Sequence, residues 1–373
     1  MQRYARVDNL ARQEWKSNRK KYIAIAGGKG GVGKTVITAA MGIALAEKGV
    51  RTTVVDADFS GASLHQILGI IAPPLCIRQF IQRQESDLNK LLLETPFPNL
   101  NLLAGSYDFL AGCNIGYSAK QKILKGLQSI DADSILLDIG AGTAYDQLDF
   151  FNAADINIVV ITPEPMSIQD GYNFIKLSLY RRLYRKFRRI YKIRRLFDKL
   201  YHSPDVDAAT FYREIDNCFA HLDDETRKQW HDIVQRFYPV VILNMVECEG
   251  DLEKQAALTY AVKDILKVRM KNGGRISFDD AVRQSVRAMD PNILMQKSDG
   301  AARDIRAIVD SLSLMPVRPG ATANSFNGAK TKAIDRVICS IKCSLWESCS
   351  FRNGGYPCRL QAVGYIKQLD HKA

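Results

Sequence analysis

The sequence predicts an α/β fold: a doubly wound, mostly parallel sheet flanked by helices, with a helical insertion and a short Cys-rich tail. Three observations carry this reading. Short apolar runs alternate with longer helix-prone segments along most of the chain. The runs are near-continuous in hydrophobicity, as strands covered on both faces are. The first run leads straight into a glycine-rich loop and then a helix-prone stretch.

Taken in chain order, residues 1–21 form a polar, basic arm, and the main domain spans 22–315. Strand-like runs are Tyr22–Ala26, Thr52–Val55, Asn101–Ala104, Ser134–Leu137, Ile156–Thr162 and Pro239–Leu243. Helices fit Thr35–Lys48, stopped by Gly49, then Ala119–Ser129 and Ser167–Leu179. Residues 180–236 break the rhythm with charge, aromatics and no strand signal, and read as a helical insertion. Residues 316–335, with Pro316, Pro319, Gly320, Asn324, Asn327 and Gly328, read as a linker. The tail, 336–373, holds half of the eight cysteines.

A hydrophobic content of 46% supplies a sizeable core. No run is long enough to cross a bilayer and the N-terminus is basic, so a cytoplasmic chain is expected. Cysteines in that setting are thiols or ligands rather than disulfides, and Cys76, Cys113, Cys218 and Cys248 read as dispersed packing residues.

The loop Gly28-Lys29-Gly30-Gly31-Val32-Gly33-Lys34-Thr35 satisfies G-x-x-x-x-G-K-[ST]. Its glycines let backbone N–H groups curl around phosphate oxygens, and the following helix N-terminus adds positive potential. Lys34 suits the β- and γ-phosphates and the Thr35 hydroxyl suits Mg²⁺. Two further strands end in acids. Thr52–Val55 runs into Asp56-Ala57-Asp58, and Ser134–Leu137 into Asp138, followed by Gly140 and Gly142. Acids at strand ends beside a phosphate loop can hold a metal-bound water.

With these motifs in this order, the chain resembles the MinD/ParA group of deviant phosphate-loop ATPases. The strings Gly61-Ala62-Ser63-Leu64-His65, Asp138-Ile139-Gly140-Ala141-Gly142-Thr143, Thr162-Pro163-Glu164-Pro165 and Phe278 to Arg287 resemble its flagellar-placement branch, FlhG or FleN. The resemblance runs over residues 20–312 outside the insertion. It implies a Mg²⁺-dependent ATPase that forms a homodimer on ATP. Lys29 would cross to the other copy's nucleotide. Lys34 and Thr35 would cradle phosphate and metal, with Asp56 and Asp138 supporting the metal shell. Asp58 would orient the attacking water, and Asn244 either reads adenine or caps a strand end. The implied role is a spatial or numerical regulator of a flagellum or polar apparatus, working with a regulatory protein partner and peripheral to the inner membrane face. The alternatives are an iron–sulfur carrier ATPase and a ParA-like DNA partition ATPase.

The charge is uneven. Of a net +12, residues 181–199 carry ten Lys/Arg against Asp198, a local +9, leaving +3 for the rest. Leu183, Phe187, Ile190 and Phe197 lie near one helical face, so the stretch suits an anionic membrane surface, an acidic partner or nucleic acid, or else a helix docked on its own core. In the tail, Cys339, Cys343, Cys349 and Cys358 are spaced C-x3-C-x5-C-x8-C, a set that four-thiolate zinc or iron–sulfur binding would explain.

Overall fold

The computed structural model describes residues 20–59, 61–105, 117–201, 222–313 and 315, with positions 210, 213, 214, 217 and 218 between. The apolar runs become strands because each is covered on both faces. β1 (Lys21–Ala26), β2 (Thr52–Ala57), β5 (Ser134–Ile139) and β6 (Ile156–Ile161) are buried at every position. With β3 (Leu93–Glu94), β4 (Leu100–Leu103), β7 (Val240–Val246) and β8 (Lys271–Ser277) they form one sheet, ordered β3-β4-β2-β5-β1-β6-β7-β8. Every pairing is parallel except β3 with β4.

The order places β1 at the centre, with β5 and β2 to one side and β6 and β7 to the other. The chain therefore reverses its winding beside β1, where open α/β sheets leave a crevice beyond the strand ends.

Helices cover both faces. On one lie α1 (Lys34–Glu47), α2 (Leu64–Ile67), α11 (Asn292–Met295) and α12 (Gly300–Ser313), with α10 (Asp280–Ala288) against α11. On the other lie α3 (Ile77–Ile81), α4 (Tyr117–Leu127), α5 (Tyr145–Ala153), α6 (Pro165–Phe187), α7 (Tyr191–Tyr201), α8 (Asp224–Arg236) and α9 (Asp251–Asp264).

Several expectations change. The helix expected over Ser167–Leu179 runs on to Phe187, because Leu183 and Phe187 continue its buried stripe. The basic run is therefore two helices, α6 and α7, rather than one. The strand expected at Pro239–Leu243 starts at Val240 and extends to Val246. β8, with its sequence KNGGRIS, carries no apolar run and was not expected. Cys248 is exposed, so it is not a packing residue, while Cys76 is half-buried and bonds Gln79 as the cap of α3. Cys113, the linker and the tail lie outside the described residues.

Candidate nucleotide site

Strand β1 ends at Ala26 and α1 begins at Lys34, so the loop between them spans the carboxyl end of the sheet. Its shape depends on glycine at two close approaches. Gly33 has φ +92, and a Cβ there would collide with the side-chain amide of Asn244. At Gly28 a Cβ would lie 2.5 Å from the carbonyl carbon of Asp170, in the first turns of α6. Asn244, from β7, donates its side-chain amide to the carbonyl of Val32 at 2.9 Å. The loop is thus held from both sides by elements far away in sequence. Asn244 sits within its strand and bonds the loop, so it is not a strand-end cap.

Lys34 curls back into the loop, its ammonium donating to the carbonyl of Lys29 at 3.2 Å. Burial lowers its pKa, against the raising pull of Asp138 and Asp58. Lys29 itself is exposed.

The register of β2 against β5 pairs Asp56 with Asp138 directly. Both are buried. Asp138 accepts hydrogen bonds from Thr35 and, at 3.3 Å, from the Thr38 hydroxyl. Asp56 accepts from the backbone N–H groups of Leu64 and Asp58 at 3.0 and 3.1 Å. Burial raises Asp56 to about 7, and burial with the facing Asp56 raises Asp138 to about 8. Asp58 accepts from the Gly61 N–H at 3.0 Å and abuts Gly140, where a Cβ would lie 2.9 Å from its carboxyl carbon.

The residues singled out in sequence therefore converge: Lys34, Thr35, Asp56, Asp58 and Asp138 meet at the ends of β1, β2 and β5. Two adjacent buried carboxylates beside a threonine hydroxyl are a hard-oxygen donor set short of positive charge. That fits Mg²⁺, which takes few protein oxygens and keeps its waters.

Residues 18–179 match the family model described as "ParA: NUBPL iron-transfer P-loop NTPase". The flagellum site-determining protein YlxH of Helicobacter pylori is 32% identical over 165 residues, 42% of this chain and 53% of that protein. The septum site-determining protein MinD of the same organism is 34% identical over 152 residues, 40% of this chain and 55% of that protein. Among solved structures, MinD of Pyrococcus horikoshii complexed with Mg-ADP superposes with a TM-score of 0.52 at 20% identity, covering 79% of this chain and 96% of that one. Over that stretch the chain is similar to MinD/ParA-type P-loop NTPases. The chain spans about half the length of the curated relatives it matches.

A buried charge cluster has no signature in the sequence. Lys120 of α4 is fully buried, with Asp146 and Asp149 of α5 each 2.8 Å from its ammonium. Arg181 of α6 grips Asp149 with two hydrogen bonds of 2.8 Å, and Arg185 reaches it at 3.1 Å. Arg181 also lies over the Tyr145 ring at 4.1 Å. Arg182 bonds the side-chain oxygens of Asn152 and Asn157 and stacks on Phe237 at 4.7 Å; burial pushes it down to about 10. Two arginines counted as part of the basic run are thus committed to the interior. Only a salt-bridge pairing signal between α4, α5 and α6 could have revealed this, and one sequence contains none.

No helix of the described residues is long and apolar enough to cross a membrane. The four tail cysteines, Cys339, Cys343, Cys349 and Cys358, lie outside those residues, among which no group of three or more His, Cys, Asp and Glu side chains is gathered to hold a metal ion.

Proposed function

We propose that this chain is an ATP-binding and ATP-hydrolysing switch that dimerises on ATP and places or counts a cellular structure, a flagellum or polar apparatus. The observation that carries it is the convergence of Lys34, Thr35, Asp56, Asp58 and Asp138 at the sheet edge, with Lys29 exposed beside them. Loop N–H groups bind and orient the phosphates, and Lys34 offsets their charge. Thr35, with Asp56 and Asp138, would hold Mg²⁺, which when bound neutralises charge on the phosphates. Asp58, placed against Gly140, orients a water for in-line attack. One copy leaves its exposed Lys29 unused at its own site, so hydrolysis waits for a second copy to supply that cation. ATP then times the lifetime of a dimer. The relatives named for flagellum and septum placement support the cellular role, as does a solved MinC:MinD complex for a regulatory partner. The site of action would be the cytoplasm or the inner face of the cell membrane.

Size-exclusion chromatography with ATP and with ADP tests the proposal. A dimer with ATP that persists in Asp58→Ala supports it, and identical elution with both nucleotides overturns it.

A second reading, an iron–sulfur carrier ATPase, draws on the iron-transfer description of the matching family model and on the tail cysteines. Visible absorbance near about 400 nm from thiolate-held clusters, with transfer to an apo-acceptor, would favour it.

A further inference from the structure

Asp56 and Asp138 lie within strands, but Asp58 lies beyond the end of one. β2 stops at Ala57, so Asp58 and the residues after it belong to a loop. In that loop Gly61 is exposed and Ser63 is half-buried, as residues beside a nucleotide crevice are. Phe59 breaks the pattern. It is the one aromatic residue between Asp58 and Ser63, it is half-buried, and it packs on the apolar core of the α5 face. Its ring lies 5.5 Å from that of Phe150 on α5, tilted by 42°, within the range in which aromatic pairs attract.

Phe150 is itself fixed. It is 1% exposed. Its neighbour Asp149 is the carboxylate gripped by Lys120 of α4 and by Arg181 and Arg185 of α6. A close-packed ring beside such a cluster has little room to shift. The same β5–α5 unit meets Asp58 a second time, at Gly140, where a Cβ would lie 2.9 Å from the Asp58 carboxyl carbon. That unit also carries Asp138. One packed piece therefore sets Asp58 relative to the carboxylate that would hold Mg²⁺. Contact at Gly140 limits the Asp58 side chain, and the Phe59 ring anchors the backbone next to it.

We infer that Phe59 is a positioning residue for ATP hydrolysis: by packing on Phe150 it holds the Asp58 carboxylate where it orients the attacking water. The inference rests on the role proposed for Asp58 above. The Phe59 side chain has no polar atom to offer nucleotide or metal, so its loss lowers turnover and spares binding.

The test uses the full chain, phosphate release at saturating Mg-ATP, and titration with a fluorescent ATP analogue. Phe59→Ala is expected to lower turnover about 100-fold, the loss that a displacement of roughly 1 Å can cause, with affinity for the analogue within about 2-fold of the wild type. Phe59→Leu refills the space against Phe150 and recovers most of the turnover. Phe59→Val gives an intermediate loss and carries the test should Phe59→Ala not fold. Thermal melts and an unchanged ATP-dependent shift in size-exclusion chromatography show that fold and assembly are intact. In an Asp58→Ala background Phe59→Ala brings no further loss, because the group it positions is gone. Wild-type turnover by Phe59→Ala beside a slow Asp58→Ala overturns this inference alone. So does a loss that multiplies with that of Asp58→Ala, or one matched by an equal loss of affinity, which would make Phe59 a plain structural residue. Wild-type turnover by Asp58→Ala overturns the role of Asp58, and this inference with it.

Discussion

Asn244 donates its side-chain amide to the carbonyl of Val32 across 212 positions of sequence, tying β7 to the middle of the phosphate loop. The bond is buried, so Asn244→Ala leaves the Val32 carbonyl without its partner. That costs about 1–2 kcal/mol, which lowers nucleotide affinity about 5- to 30-fold if the loop must re-form on binding. Titration with fluorescent ATP and GTP analogues measures it. A residue that holds the loop weakens both equally, whereas a residue that reads the base changes their ratio.

Gly28 touches the backbone of Asp170 so closely that any side chain displaces either the loop or the second turn of α6. Gly28→Ala therefore abolishes nucleotide binding and lowers the melting temperature. Gly30→Ala, where a Cβ would meet nothing within 4 Å, leaves the melting temperature unchanged. If Gly28→Ala binds nucleotide like the wild type, the loop and α6 are not in contact.

Lys29 is exposed and gives the loop only its carbonyl, which accepts from Lys34. Lys29→Ala keeps that bond and the fold. It is expected to bind one ATP per chain with little change in affinity, yet to elute as a monomer with ATP and to lose at least about 100-fold in turnover, the scale on which one charge-stabilising group acts. Normal dimerisation of this variant would remove the role assigned to Lys29.

The central strands and the loop were legible in sequence because their chemistry is local. A strand buried on both faces must be apolar throughout, and Tyr22–Ala26, Ser134–Leu137 and Ile156–Thr162 are recognisable with no partner in view. β8 was illegible for the converse reason. It is an edge strand, half exposed, and Gly273 packs where a side chain would meet Val240 Cγ1 at 2.5 Å. Its identity comes from β7, not from its own residues. The basic run shows a third case. Its period exposed an apolar stripe at Leu183, Phe187 and Phe197, but whether a stripe faces a bilayer or its own core depends on Trp230 and Tyr180, which periodicity does not connect to it. The three acids of the nucleotide site were legible as strand ends, but the pairing of Asp56 with Asp138 follows from the order of strands alone.

The interior cluster on Asp149 gives a pH prediction. Burial alone would raise this carboxyl, but the hydrogen bonds and charge of Arg181, with the charges of Arg185 and Lys120, outweigh it and hold the pKa far below the usual range. A carboxyl depressed in the folded state contributes stability that is fully present above its unfolded pKa, about 3.9, and is lost as pH falls towards the folded value. Asp149→Asn removes that charge and leaves Lys120 and Arg181 buried with less compensation, a loss of about 3–5 kcal/mol at pH 7. Chemical denaturation of both proteins at pH 7, 5, 4 and 3 checks this. The gap in stability between them is expected to be constant from pH 7 to 5 and to shrink below pH 4, as the unfolded wild-type chain takes up a proton that the folded carboxyl does not. Arg181→Lys keeps a charge but loses the paired hydrogen bonds, so it falls between the two. A gap that holds its size down to pH 3 would mean that Asp149 is not the ionised centre on which α4, α5 and α6 are fastened.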